Sequence, residues 1–385
     1  MSDGRKNWVA DLARHSFTGK RIWVHCASLG EFEQGRPLIE RIKNMHPKYS
    51  IIITFFSSSG YEVRKDYEGA DYICYLPFDG KSTSARFIEL LKPDLALFIK
   101  YEFWYHYLKE LKSKEIPTFS ISAIFRPGQQ FFKKQGNFFR KMLSCFDYFF
   151  VQNKQSKELL NGQGYENVSV SGDTRFDRVV EICGKPKKIE IARVFKGEDN
   201  LMVIGSSWPQ DIEVLLPIMN NPLNQLKFII APHETEPDKI RKLCKEISVK
   251  YQLFSQAEKE TIHSNKVLIV DSIGLLSSLY QYGEIAYIGG AFGEGLHNIL
   301  EAATFGMPII FGKGKENHKY QEAIDLVNAG GAFEIANSTE VESVLQNVMG
   351  NEEKLQEISR ISKDYVISQT GATDIIMDYL SKYLN

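Results

Sequence analysis

Short apolar runs alternate with longer stretches of mixed polarity along the 385-residue chain. Residues 21–27 (RIWVHCA) and 51–56 (IIITFF) are almost continuously apolar, the pattern of strands buried on both faces. Residues 71–76, 94–99, 118–122, 148–152 and 168–171 are further short β-rich runs. Segments of helical period separate them, such as the one carrying Leu38, Ile39 and Ile42 and those at 85–91 and 154–160. Residues 181–190 (EICGKPKKIE) break the rhythm and read as a linker. The alternation then resumes at 201–205, 227–231, 267–270, 285–288, 308–311 and 332–335. From about residue 339 the pattern is purely helical. Strands alternating with helices predict parallel sheets covered on both faces. The expectation is an α/β chain of two doubly wound, Rossmann-like domains, 1–180 and 181–385, facing a central cleft. The helical tail is expected to return toward the first domain.

Composition narrows the class. No run approaches the roughly 18 apolar residues that a membrane-spanning helix needs, and the start, MSDGRKNW, is no signal peptide. Five cysteines lie far apart with no CxxC pair, as in a reduced intracellular protein. The net charge of −1 hides an asymmetry. Residues 1–180 carry 27 Lys+Arg against 20 Asp+Glu, and the remainder 20 against 28. A basic first half suggests an anionic partner, although two ordinary surfaces could differ this much.

In open α/β sheets ligands sit beyond the carboxyl ends of strands, so the residues just after strands carry the candidate chemistry. Ser28-Leu29-Gly30-Glu31 follows the first strand. Gly30 allows a tight turn there, and Pro37 suits the first turn of the following helix. Glu31 is either a general base or merely a favourable charge at the helix start. Glu102 follows the fourth strand, beside Phe103 and Trp104. Residues 125–146 interleave Arg126, Lys133, Lys134, Arg140 and Lys141 with phenylalanines, which fits a membrane surface or an amphipathic core helix.

In the second half, Ser206-Ser207-Trp208-Pro209 opens a helix, and its free N–H groups suit an anion. Pro232-His233 follows the next strand. Residues 289–302 (GGAFGEGLHNILEA) run from a strand through a glycine-rich loop into a helix carrying Asn298 and Glu301. Glycines let a phosphate approach the backbone, and a helical carboxylate can hold ribose hydroxyls. Neither GxGxxG nor GxxxxGK[ST] occurs, and no Cys/His ligand cluster implies a metal.

Taken together these residues resemble the family of 3-deoxy-D-manno-octulosonate (Kdo) transferases, sugar-nucleotide glycosyltransferases of the GT-B fold. The resemblance spans nearly the whole chain, from Gly4-Arg5-Lys6 to the helical tail. It rests on Trp23-Val24-His25, Ser28-Leu29-Gly30-Glu31, Glu102-Phe103-Trp104, Gly172 to Asp177, Gly205 to Trp208 and Gly290 to Ala302. It implies Glu31 as catalytic base, with Ser28, Gly30, Glu102, Ser122 and Arg126 lining the acceptor site. It implies that the donor CMP-Kdo is held by Ser206, Ser207, Trp208, Pro232, His233, Gly274, Gly290, Gly293, Asn298 and Glu301. Two departures stand out. The family commonly has Pro-Arg-His where His233 here follows Pro232 directly. Gly172-Asp173-Thr174-Arg175-Phe176-Asp177 replaces Gly-Asn-x-Lys-Phe-Asp. Members usually begin with a membrane-anchor helix that does not appear here, so a peripheral place at the cytoplasmic face of the inner membrane is expected.

The implied reaction is inverting, metal-independent and cofactor-free transfer of Kdo to a lipid A precursor, within lipopolysaccharide biosynthesis. A UDP-sugar 2-epimerase-like isomerase shares the architecture and is the alternative, and a non-catalytic nucleotide-sugar sensor is a second. Nucleic acid is not an expected partner, since no recognised module accompanies the basic residues.

Overall fold

The computed structural model describes residues 5–384, which leaves Gly4 of the matching stretch outside. The chain divides into two compact units, one formed by residues up to Arg178 together with those from Gln369 on, the other by Val179–Ser368.

The first unit holds a seven-stranded parallel sheet. Its strands are β1 (Arg21–Cys26), β2 (Ser50–Phe55), β3 (Tyr72–Tyr75), β4 (Leu95–Ile99), β5 (Thr118–Ala123), β6 (Tyr148–Val151) and β7 (Val168–Val170). Their order is β3-β2-β1-β4-β5-β6-β7. Two apolar layers cover its faces. One gathers Trp23, Phe87, Phe98 and Tyr107; the other gathers Val24, Phe32, Ile39, Ile53 and Leu97. Ile376 and Leu380 of the C-terminal helix Ala372–Leu380 belong to the second layer. Asp177 ties that helix down. Its carboxylate accepts from the Gly371 N–H at 2.7 Å, the Thr373 N–H at 2.6 Å and the Thr373 hydroxyl at 2.6 Å.

The second unit repeats the plan with β8 (Leu201–Ser207), β9 (Lys227–Pro232), β10 (Tyr251–Leu253), β11 (Val267–Ile269), β12 (Ile285–Ile288), β13 (Ile309–Gly312) and β14 (Ala332–Ile335). All pairings are parallel, in the order β10-β11-β9-β8-β12-β13-β14. Both sheets therefore reverse direction at a topological switch point, between β1 and β4 in one and between β8 and β12 in the other.

Four sequence expectations need correction. The expected linker at 181–190 is half helical, because a helix runs from Thr174 to Gly184 and crosses the unit boundary. The residues from Gln369 on lie in the first unit rather than in a second domain reaching residue 385. Strand β10 was not anticipated, since three residues at a sheet edge show no usable alternation. Residues 125–146 are not one amphipathic helix. They form a 3₁₀ turn at Gln130–Phe132 and a short helix at Asn137–Leu143, with Phe125, Phe131 and Phe146 buried in the core.

Candidate active site

In the first unit the loops after β1 and β4 meet at the switch point. Ser28 is the N-cap of the helix Leu29–Met45, which puts Gly30 and Glu31 in its first turn. Gly30 is thus not a turn glycine, and Pro37 lies mid-helix. The Ser28 N–H donates to Glu31 Oε2 at 2.9 Å, and the Ser28 hydroxyl meets the same oxygen. This is the reciprocal half of a capping box. Glu31 therefore has a structural task, yet among the described residues only one of its oxygens is engaged.

Glu102 is arranged likewise. Its Oε2 accepts from Trp104 Nε1 at 2.6 Å and lies 3.1 Å from His25 Nε2. His25 is fully buried, while the Glu102 side chain is 11% exposed. Both carboxylates act on Cys26, whose thiol is pushed well up first by burial and then by Glu31 and Glu102. Tyr101 marks the same neighbourhood. Burial raises its phenol, and the charges of Arg126, Arg175, Asp173 and Glu31 all reach it. Arg126 is exposed.

Ser122 departs from the expected acceptor role. It is fully buried, and its hydroxyl pairs with Thr174 Oγ1 at 3.0 Å. Its φ of 51° lies in the left-handed region, as does the 67° of Lys100 at the end of β4. Non-glycine residues held there are strained, and such strain collects near functional sites. Behind them, Asp173 accepts from Gln34 Nε2 at 2.9 Å and from Arg175 Nε at 2.8 Å. Burial pushes its carboxyl up, but Arg175 and these bonds bring the net shift below the usual range. Asp173 and Arg175 thus form an ion pair where the resemblance leads one to expect Asn and Lys.

The second unit presents the loops after β8, β9 and β12. A bulge at the end of β8 gives Ser206 a φ of 51°. Trp208 is the N-cap of the helix Pro209–Met219. Asp211, with no exposed surface, holds this region together. It accepts from the Trp208 N–H at 2.8 Å, the Gly290 N–H at 2.9 Å and the Tyr287 hydroxyl at 2.8 Å. Gly290 has a φ of +93°, and a Cβ on it would stand 2.3 Å from the Gly295 carbonyl oxygen. Only glycine fits this approach.

Three rings stack over the loop. The His233 ring lies 4.6 Å from that of Trp208, at 21°, and 4.6 Å from that of His297, at 25°. Trp208 Nε1 donates to His297 Nε2 at 3.0 Å, so that nitrogen carries no proton. Burial, and then His233, lower His297 to about 4. Ser207 is buried, and its hydroxyl has no hydrogen-bond partner among the described residues. Gly274 and Gly293 border open space. Pro232 ends β9 beside this stack. Asn298 precedes the helix rather than riding on it, because the helix is only Leu300–Thr304. Asn298 Oδ1 instead accepts from the Leu300 N–H at 3.1 Å, and its Nδ2 reaches Glu301 Oε1 at 3.3 Å.

The structure thus brings Glu31 and Glu102 to one switch point and Ser206, Trp208, His233 and Gly290 to the other. His25, Asp211 and His297 were missed as site residues. His25 sits inside the Trp23-Val24-His25 run, and His297 adjoins Asn298. Asp211 falls in the first turn of a helix opened by Pro209, where an acidic residue is favoured.

Two parallel-sheet units with polar loops at both switch points define a GT-B-like protein. Solved structures share this fold. UDP-GlcNAc 2-epimerase from Neisseria meningitidis, bound to UDP-GlcNAc, superposes with a TM-score of 0.65 at 17% identity, covering 94% of this chain and all of that one. Acinetobacter baumannii MurG gives 0.59 at 13%, with the same coverage. At such identities the likeness is one of fold alone. Sequence is more specific. A family profile described as 3-deoxy-D-manno-octulosonic-acid transferase (kdotransferase) matches residues 5–178. The 3-deoxy-D-manno-octulosonic acid transferase of Aquifex aeolicus is 30% identical over 350 residues, 88% of this chain and 89% of that protein. That of Haemophilus influenzae is 24% identical over 376 residues, covering 94% and 87%. The chain belongs to the 3-deoxy-D-manno-octulosonic acid transferases and is a glycosyltransferase.

Proposed function

We propose that this enzyme moves Kdo from CMP-Kdo to a hydroxyl of a lipid A precursor, with inversion and without a metal or other cofactor. The observation that carries the reading is the family relationship over 89% of the Aquifex enzyme. It is joined by a carboxylate, Glu31, which follows the first strand and has one oxygen uncommitted among the described residues. In this reading Glu31 takes the proton of the acceptor hydroxyl as the sugar acquires oxocarbenium character. Charge developing on the departing CMP phosphate is met by N–H groups of the second unit around Ser206–Trp208 and Gly290–Gly293. Glu102 contributes to holding the acceptor.

Among the described residues no helix is long and apolar enough to cross a membrane. Phe138 is 51% exposed, with Lys133, Lys134 and Lys141 exposed nearby. This surface supports peripheral contact with a phosphate-bearing membrane at the cytoplasmic face, as an acceptor anchored by acyl chains requires.

Incubation with CMP-Kdo and a lipid A precursor, followed by mass spectrometry, tests the proposal. The expected product is the acceptor bearing added Kdo, formed equally in the presence of a chelator. Release of CMP with an unmodified acceptor, or epimerisation of UDP-GlcNAc without any acceptor, overturns it.

A further inference from the structure

We infer that His25 is a positioning residue for Glu102. It delivers one N–H to a single carboxylate oxygen and so aims the other oxygen at the acceptor sugar. The inference rests on the reading of Glu102 as part of the acceptor site.

A chain of hydrogen bonds runs from the Trp23 indole through Thr54 and His25 to the Glu102 carboxylate. An indole N–H only donates. Trp23 Nε1 donates to Thr54 Oγ1 at 2.8 Å. The single proton of that hydroxyl has one acceptor within reach among the described residues, His25 Nδ1 at 2.8 Å. Nδ1 also lies 3.2 Å from the Thr54 carbonyl oxygen, so the ring's direction is set at its other end, where the Glu102 carboxylate only accepts and Nε2 supplies the proton. Nε2 lies 3.1 Å from Glu102 Oε2, and Trp104 donates to the same oxygen at 2.6 Å. Two donors thus occupy Oε2. Oε1 meets no protein donor among the described residues.

The supports of this chain are rigid. His25 stands opposite Thr54 in the β1–β2 register and opposite Phe98 in the β1–β4 register. Its ring is edge-on to Phe98 at 5.8 Å and to Trp104 at 5.9 Å. Trp23, His25 and Thr54 are all fully buried, so no water competes for their bonds. A histidine that only filled the core would need its nitrogens satisfied within the core. Here the second nitrogen spends its proton on a partly exposed carboxylate at the open end of the sheet. Fixing one oxygen of a carboxylate from two sides stops its rotation and sets where the other oxygen points. The group suited to an oriented, unshared carboxylate oxygen is a sugar hydroxyl.

Steady-state kinetics with donor and acceptor varied separately test the role. His25→Phe keeps the ring and removes the N–H. It is expected to lower kcat/KM for the acceptor about 10- to 100-fold, the usual worth of a hydrogen bond to a charged group. The KM for CMP-Kdo should not move. His25→Gln returns an N–H near the place of Nε2 and is expected to recover most of the loss. Thr54→Val, nearly isosteric, removes the hydroxyl that holds Nδ1 at 2.8 Å and so loosens the ring, and is expected to cost severalfold in the same parameter. If His25→Phe fails to fold, the glutamine and valine variants carry the test. The role is overturned if His25→Phe matches wild type toward the acceptor. It is equally overturned if a folded His25→Gln is as impaired as His25→Phe, or if Thr54→Val is without effect. A wild-type enzyme that transfers no Kdo overturns the reaction itself, a separate result from an active wild type with an unaffected His25→Phe.

Discussion

Removing the Asp211 carboxylate should loosen the second unit, and the size of the effect can be worked from its three partners. Asp211→Ala strips the acceptor from the Trp208 N–H, the Gly290 N–H and the Tyr287 hydroxyl at once. A buried donor left without a partner costs about 1–3 kcal/mol. Part of that sum is returned, because Asp211 itself is penalised by burial, which outweighs its hydrogen bonds and raises its carboxyl above the usual range. A net loss of about 3 kcal/mol is expected. For a unit of this size that corresponds to a fall in Tm of about 6–12 °C.

Asp211→Asn should be milder, about 1 kcal/mol. Its carbonyl can still accept from both backbone N–H groups, while its NH₂ faces a tyrosine oxygen able to accept. Only the Tyr287 proton is then left without a partner, so Tyr287→Phe added to Asp211→Asn should cost less than the two single changes summed. The pH dependence supplies a further check. A carboxyl raised in the folded state contributes stability that is complete below the ordinary value of about 4 and is lost as pH rises through the folded value. Asparagine does not titrate, so the gap between wild type and Asp211→Asn should be widest in acid and narrow toward neutrality. Thermal melts across pH, with CMP binding by calorimetry, measure both effects. Since Asp211 also fixes Gly290, Asp211→Ala should weaken CMP binding along with stability. An Asp211→Ala protein that melts within about 1 °C of wild type, far inside the expected shift, would refute the reasoning.

Two other outcomes are expected. Glu31→Gln should lose about 10²- to 10⁴-fold in turnover, the usual worth of a positioned base, while CMP binding to the second unit stays intact; transfer at near wild-type rate removes Glu31 from the role of base. His297, lowered to about 4 by burial and His233, binds fewer protons folded than unfolded between that value and about 6.5. Stability should therefore fall as pH drops through this window, and His297→Gln should flatten the fall; denaturant titrations at pH 4.5 and 7 with equal differences for both proteins would contradict the assignment.

The apolar runs were enough to locate thirteen of the fourteen strands among the described residues, because a strand buried on both faces is written locally in its own residues. The chemistry that follows strands was equally legible: Glu31, Glu102, the Ser206–Trp208 turn and the glycine-rich loop stand where open α/β sheets place their ligands. Local spacing could not tell a cap from a base; the structure shows Glu31 acting as a cap, and its role as base belongs to the proposed reaction. Nor could it show that Ser122 turns inward to Thr174, or that Asn298 stops short of its helix.

What the tertiary structure alone decided are the meetings of distant residues. His25 reaches Glu102 across 77 positions, Asp211 reaches Gly290 across 79, and Asp177 clasps the tail across 194. Each depends on which strands lie side by side at the switch points, or on which sheet face the last helix covers. Periodicity along a chain records whether a segment is a strand or a helix and which side it buries. It carries no record of its neighbour, since parallel strands with the same apolar pattern can pair in many orders, and only the packing of the whole selects one.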